Sequence, residues 1–175
     1  AEVRPWIGTV PDTMSAAEID RTLEQARQIA PWCEQVLVIP KAEGIIEYLP
    51  REIGGKPIVL GFSVPTEYGG TPLPLWDFQG WPCHLLGGNA RRQLALCGYL
   101  NVISADGNLA WRLARRGVVI TRQGTAGKTI RQLDGQRWQG KDAHLEALRR
   151  SLDNLRYFWS RHRAVEWRQS LAPST

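Results

Sequence analysis

Two carboxylates, an amine and a hydroxyl stand where short apolar runs give out. Asp12 follows Trp6 to Val10 and Pro11, Lys41 follows Gln35 to Pro40, Ser63 closes Pro57 to Ser63, and Asp106 follows Asn101 to Ala105. The pair Gly87-Gly88 follows Cys83 to Leu86. Asp106 precedes Gly107-Asn108 and a predicted helix, so it sits near a helix N-terminus, whose dipole and free N–H groups favour the ionised acid. An ionised, half-buried Asp can attack an electrophilic carbon or stabilise a cation beside it. It can equally serve as an N-cap, for which Asp is a preferred residue. Asp12 carries the same two readings: a carboxylate that accepts hydrogen bonds from the edge of a purine, or a cap. Gly87-Gly88 either lets a ligand approach the backbone closely or makes a tight turn. Ser63 and His84 have no triad context, and His84 lies inside its strand, where it reads as a satisfied core histidine. No Walker loop and no G-x-G-x-x-G fingerprint occurs.

The elements that must position these residues alternate between strands and helices. Trp6 to Val10 reads as a buried strand, and Ser15 with Glu18 reads as a capping box that opens a helix. Ile19, Leu23, Ala26 and Ile29-Ala30 give that helix an apolar stripe, and Pro31 ends it. Gln35 to Pro40 is a strand covered on both faces. Glu43 to Leu49 is predicted as a short helix, Pro57 to Ser63 as a strand, and Val64 to Trp81 as a long ordered loop. Cys83 to Leu86 is a fourth strand, followed by a helix from Ala90 to about Tyr99. Asn101 to Ala105 is the fifth strand, followed by a helix from Asn108 to Arg115 and a strand from Val118 to Thr121. Arg122 to Gly140 is polar and glycine-rich and reads as a flexible loop. Asp142 to about Trp167 is a long basic amphipathic helix. The alternation predicts an α/β fold on a parallel sheet, barrel or open, and in both architectures chemistry gathers at the carboxyl ends of the strands.

The bulk properties narrow the function classes. At 175 residues the chain fits one domain with a real core. No apolar stretch reaches the ~20 residues that span a bilayer, so the sequence predicts a cytoplasmic protein without a membrane partner. Three cysteines without C-x-x-C spacing and three scattered histidines form no ligand cluster. The cysteines read as reduced, buried thiols, and no metal is expected. The formal net charge is +5, and 14 of the 22 Lys and Arg residues fall between Arg112 and Arg168. That concentration fits a polyanion partner or a solvated basic helix face. Eight tryptophans add rings able to stack on unpaired bases.

A longer pattern runs through the chain. The stretch HLLGGNARRQLALCGYLNVISADGNLAWRLARRGVVITRQGT, His84 to Thr125, resembles the last catalytic segment of tRNA-guanine transglycosylases. Asp106, Ala114-Arg115, Thr121 and Gly124-Thr125 fall in the family's order. The form Ser104-Ala105-Asp106-Gly107 looks closer still to small phage and bacterial relatives thought to insert 7-deazaguanines into DNA. Upstream, Val10-Pro11-Asp12 resembles the strand whose terminal Asp recognises the base, and Gly61-Phe62-Ser63-Val64 resembles the strand whose backbone contacts it. Lys41 stands where the family has a base-contacting Gln. The family's zinc cluster is absent, and five strands stand where a closed barrel needs eight.

The resemblance implies a partial or modified TIM-type (β/α) barrel over residues 1–125, with a polar loop and basic helix over 126–175 packed on it. It implies replacement of guanine in DNA or tRNA by a 7-deazaguanine through an intermediate linked to Asp106. Asp12, Lys41, Gly61, Ser63, Gly87 and Gly88 would hold the base. Arg115, Arg116, Arg149 and Arg156 would hold phosphates. No cofactor is implied. The partners would be nucleic acid, the 7-deazaguanine, and either a second copy or a separate subunit supplying the missing strands. The alternatives are a nucleic-acid- or base-binding subunit without turnover and an N-glycosidic hydrolase.

Overall fold

The computed structural model describes residues 4–67, 69–135 and 139–170, with side chains through 161. Tyr68, Arg137 and the side chains of Arg163, Trp167 and Arg168 lie outside the described residues. The chain is α/β. Its sheet is built from β1 (Ile7–Thr9), β2 (Gln35–Val38), β3 (Glu52–Ile53), β4 (Lys56–Ser63), β5 (Pro82–Leu86) and β6 (Asn101–Ala105). The spatial order is β1-β2-β4-β5-β6, every neighbouring pair is parallel, and the sheet is open rather than closed into a barrel. The short β3 lies outside this path, antiparallel to the start of β4. Gly54 and Gly55, at φ +56° and +73°, form the two-residue turn between them, where two consecutive positive φ angles are needed.

Two compact units divide the chain. One comprises residues 1–87 with 99–106, the other 88–98 with 107–175. The first unit holds the sheet and α1 (Ile19–Ile29). In-register Gly8, Val36 and Ile58 share one face of the sheet. A Cβ on Gly8 would come within 2.9 Å of the Cys33 sulfur and 3.3 Å of Ile29, so glycine lets the end of α1 lie close to β1. The opposite face carries a buried cluster of Leu37, Ile39 and Val59, flanked by Ile7, Leu86 and Ile103. Burying so many β-branched residues on both faces explains why β2 and β4 read as continuous apolar runs.

The second unit holds α2 (Ala90–Cys97), α3 (Leu109–Ala114), α4 (Ile130–Asp134), α5 (Gly140–Ser170) and a hairpin of β7 (Val118–Ile120) with β8 (Ala126–Thr129). Ala114, Val119, Ile130 and Ala147 form its core, with Ala143 and Leu148 packed against them. Asn89 caps α2 by accepting the Arg92 N–H at 3.0 Å.

Several elements differ from expectation. Ser15 makes no side-chain cap, and Glu18 instead accepts the Met14 N–H at 2.7 Å. The predicted helix over 43–49 is only a 3-10 turn at Ile46–Tyr48, because Gly44 lies at φ +76°. The stretch expected as a flexible loop over 122–140 contains β8 and α4. Thr129 and Gln132 form a complete capping box that starts α4. Of the three thiols, Cys33 and Cys83 are buried and Cys97 partly so, and none is in a disulfide. Burial pushes the Cys83 thiol up to about 12. No helix among the described residues is long and apolar enough to cross a membrane.

Candidate functional site

All five parallel strands run the same way, so their carboxyl ends line one edge, and Asp12, Lys41, Ser63, Gly87 and Asp106 stand along it. The β1–β2 pairing continues past the strand ends. Thr13 bridges Pro40 in parallel, its N–H donating to the Ile39 carbonyl at 2.9 Å, while the Lys41 N–H donates to the Thr13 carbonyl at 2.9 Å. This brings Asp12 beside Lys41, with 3.6 Å between Oδ2 and Nζ. Lys41 is nearly buried, and its Nζ donates to Ser63 Oγ at 2.6 Å. Asp12 is therefore the ion-pair partner of Lys41, while Ser15 and Glu18 stand at the N-cap positions of the turn and of α1.

A second chain of contacts occupies the ends of β5 and β6. Gly87, at φ +69°, turns its N–H toward Asp106 and donates to Oδ1 at 2.7 Å. The Asp106 N–H continues the ladder to the Leu85 carbonyl at 2.9 Å. His84 lies between Ser104 and Asp106. Its Nδ1 is 2.7 Å from Ser104 Oγ, and its Nε2 is 3.8 Å from Asp106 Oδ2. The tautomer sets which of His84 Nδ1 and Ser104 Oγ donates. The N-cap of α3 is Asn108, so Asp106 lies outside the helix and its side chain is spent on the β5 end.

Asp106 is both open to solvent and held toward its ionised form. Its side chain is 57% exposed, whereas that of His84 is 12% exposed. The imidazole of His84 holds the Asp106 carboxyl below the usual carboxylate range. The Gly87 N–H acts in the same direction, and partial burial opposes both. The group that reaches solvent is thus an oriented, ionised oxygen acceptor, backed by a ring that is itself held by Ser104. Such an arrangement can attack or stabilise an electron-poor carbon.

Gly61 is paired with His84 across β4 and β5. A Cβ there would come within 2.7 Å of Ile39 Cγ1 and 3.0 Å of Leu86 Cδ1, so packing beneath the site requires glycine. Gly88 belongs to the second unit, with φ +77°. The four arginines expected to hold phosphates also lie in that unit. Arg115 stacks over the Trp111 ring at 4.9 Å. Arg116 lines a pocket of about 500 Å³ with Thr129, Arg131 and His144. Arg149 pairs with Glu146 at 2.8 Å and Asp153 at 2.9 Å, and Arg156 approaches Asp153 at 3.9 Å. Hydrogen bonds from Arg149 and Arg150 pull the Glu146 carboxyl down to about 2.

His84 and Ser104 are the site residues that sequence reasoning left out. A signal was available for one of them: Ser104 and Asp106 are two residues apart, so strand alternation turns both to the same side of β6.

A family model described as a family of unknown function (DUF6610) matches residues 1–160. The chain belongs to that family. The match covers the whole carboxyl edge, from Asp12 to Asp106, and most of the second unit. No curated protein and no solved structure matches the chain.

Proposed function

We propose that this member of the DUF6610 family is a base-exchange glycosyltransferase, replacing guanine in DNA or tRNA by a 7-deazaguanine with Asp106 as nucleophile. The observation that carries the reading is the Asp106 carboxylate, ionised and open to solvent at the carboxyl edge, its orientation set by His84 and the Gly87 N–H. The likeness of His84 to Thr125 to the transglycosylase segment supports the choice of substrate. The unreversed order of the parallel strands supports a partial (β/α) barrel, since doubly wound sheets reverse at a switch point.

In this reading an Asp106 oxygen bonds to the sugar C1′ as the bond from C1′ to the purine nitrogen breaks. The bonding pair leaves with the purine, which takes up a proton from an acid. The incoming 7-deazaguanine loses a proton, attacks C1′ and displaces the carboxylate, which restores the enzyme. Positive charge that develops on the sugar in each of the two displacements faces the Asp106 oxygen as it bonds or departs. His84 fixes the carboxylate without competing for the carbon, because its ring is turned between Ser104 and Asp106. Asp12, Lys41 and Ser63 form the polar wall suited to a purine edge. The target base must leave its stack to reach them.

Incorporation of radiolabelled guanine into tRNA and into duplex DNA tests the reading. Asp106→Asn should abolish incorporation and any trapped protein–nucleic acid adduct while leaving the circular dichroism spectrum unchanged. Full exchange by that variant would refute the nucleophile assignment. Base release without incorporation would identify a hydrolase, and binding without either would identify a subunit that lacks turnover. The open sheet favours that last reading as the second choice, since another chain would have to supply further strands.

A further inference from the structure

The second unit contains a cationic pocket remote in character from the carboxyl edge. It has a volume of about 700 Å³, within the ~300–1,000 Å³ of small-ligand sites, and its walls are Arg91, Arg122, Arg161, Tyr157, Phe158 and Leu94, with Gln123. Three arginines thus line one opening, and among the described residues its lining includes no Asp or Glu. The contrast with the rest of α5 is informative. Arg149, Arg150 and Arg156 all have carboxylate partners there. Among the described residues, the pocket arginines have neutral partners instead. Arg91 Nε donates to the Gln123 carbonyl at 3.4 Å. Arg122 lies over the Tyr157 ring at 4.6 Å. Arg161 lies 5.7 Å from the centre of the same ring and donates to the Tyr157 hydroxyl at 3.1 Å. With no counter-charge among the described residues, such a cluster suits an anion, and the planar fork of arginine matches phosphate oxygens in pairs.

The pocket wall is built by local structure. The Thr121 N–H donates to the Thr125 carbonyl at 2.8 Å, and the two hydroxyls are 2.9 Å apart. Between them Gly124, at φ +72°, is buried so closely that a Cβ would come within 3.2 Å of Ala90 and 3.3 Å of Phe158. This tight turn seats Arg122 and Gln123 over the aromatic floor. Phe158 is buried beneath, and Tyr157 stays 38% exposed, so part of its ring and the guanidinium over it are open to a flat ligand.

We propose that this pocket binds one nucleotide of an unpaired nucleic-acid strand, with its phosphate among Arg91, Arg122 and Arg161 and its base against Tyr157 and Arg122. The proposal does not rest on Asp106 chemistry and holds even if Asp106 forms no bond to a sugar.

Fluorescence polarisation of the full chain with a labelled oligothymidylate of about 12 nucleotides, within the ~4–16 of single-strand sites, tests it. Arg122→Ala and Arg161→Ala should each weaken binding about tenfold and flatten the salt dependence by ~0.7 per charge removed. Tyr157→Ala should weaken the oligothymidylate about tenfold but leave an abasic phosphodiester of equal length unaffected, and Tyr157→Phe should retain binding. Arg27→Ala, which removes a charge from α1, should leave affinity within about twofold. Parental affinity in all three pocket variants would overturn the proposal, as would an equal loss in Arg27→Ala, which would mark general charge attraction. Thymidine monophosphate competing as strongly as the oligomer would overturn it in favour of a free nucleotide, and equal binding of a duplex would remove the stacking. Thermal melts matching the parent confirm that each variant is folded.

Discussion

Removing one buried hydroxyl on α5 should loosen the hairpin that carries the pocket wall. Ser151 is fully buried, and its Oγ accepts the Ile120 N–H at 2.9 Å while donating to the Ala147 carbonyl at 2.6 Å. Ile120 is itself buried at the end of β7, and its carbonyl accepts from Asn154 Nδ2 at 2.7 Å. Both main-chain groups of Ile120 are therefore held by side chains of one helix. Ser151→Ala leaves the Ile120 N–H buried without its acceptor, which costs about 1–3 kcal/mol. The Ala147 carbonyl keeps its place in the helix ladder and adds little. Against this, alanine gains about 0.5 kcal/mol over serine in a helix interior. The net expectation is a loss of about 1.5 kcal/mol, the middle of the first range less the propensity gain. Urea unfolding should show a lower midpoint at unchanged slope, and the Ile120 amide should exchange faster with deuterium. The comparison is Ser160→Ala, whose exposed hydroxyl donates to the Tyr157 carbonyl at 2.9 Å and should cost less than about 0.5 kcal/mol. A Ser151→Ala loss no larger than that of Ser160→Ala, or an Ile120 amide that exchanges as before, would refute the account of how the hairpin is held.

Two further perturbations bear on the carboxyl edge. Gly61→Ala places a methyl 2.7 Å from Ile39 Cγ1 in a core with no slack and should cost about 1–3 kcal/mol; Ile39→Ala in the same chain should recover part of that loss, read from a double-mutant cycle of urea midpoints. His84→Gln should raise the Asp106 carboxyl toward its ordinary range, followed by the carboxyl carbon resonance across a pH titration. A depressed carboxylate contributes stability that is present above its unfolded value and lost as pH falls through the lower folded value, so the variant should lose part of the parent's advantage near neutral pH and show a weaker pH dependence below about 4. An unmoved Asp106 titration would show that His84 does not set its charge.

The fold was legible where local signals and burial agreed. Val36 to Val38 and Ile58 to Leu60 are buried on both sides of the sheet, and their continuous apolar runs announce that directly. Signals failed where one residue overrode its neighbours. Gly44 in the left-handed region stops a helix that Glu43 to Leu49 otherwise suggests. The strand Glu52–Ile53 is too short to show alternation, and it exists because Gly54-Gly55 turns it back on β4. The stretch after Arg122 reads as loop because its composition is polar, yet Thr129 and Gln132 carry a capping box that spacing alone could have found.

The site divides along a similar line, between what chain position fixes and what only contact decides. The carboxyl-edge rule selects Asp12, Lys41, Ser63 and Asp106 without knowledge of neighbours, because parallel strands must all end on one side. It cannot choose between a cap and a nucleophile. Contact shows only that Asp106 is not the N-cap: Asn108 holds that position at α3, and the Asp106 carboxylate accepts from the Gly87 N–H beside His84. The arginines show the complementary case. Glu146, Arg149 and Asp153 are three and four residues apart on one helix, so their pairing is readable from spacing, and a cation already paired is a poor choice for a phosphate. Arg91, Arg122 and Arg161 come from α2, the hairpin turn and α5. No sequence separation among them signals a shared pocket, and only the folded unit shows that three arginines with no carboxylate partner among the described residues line one space.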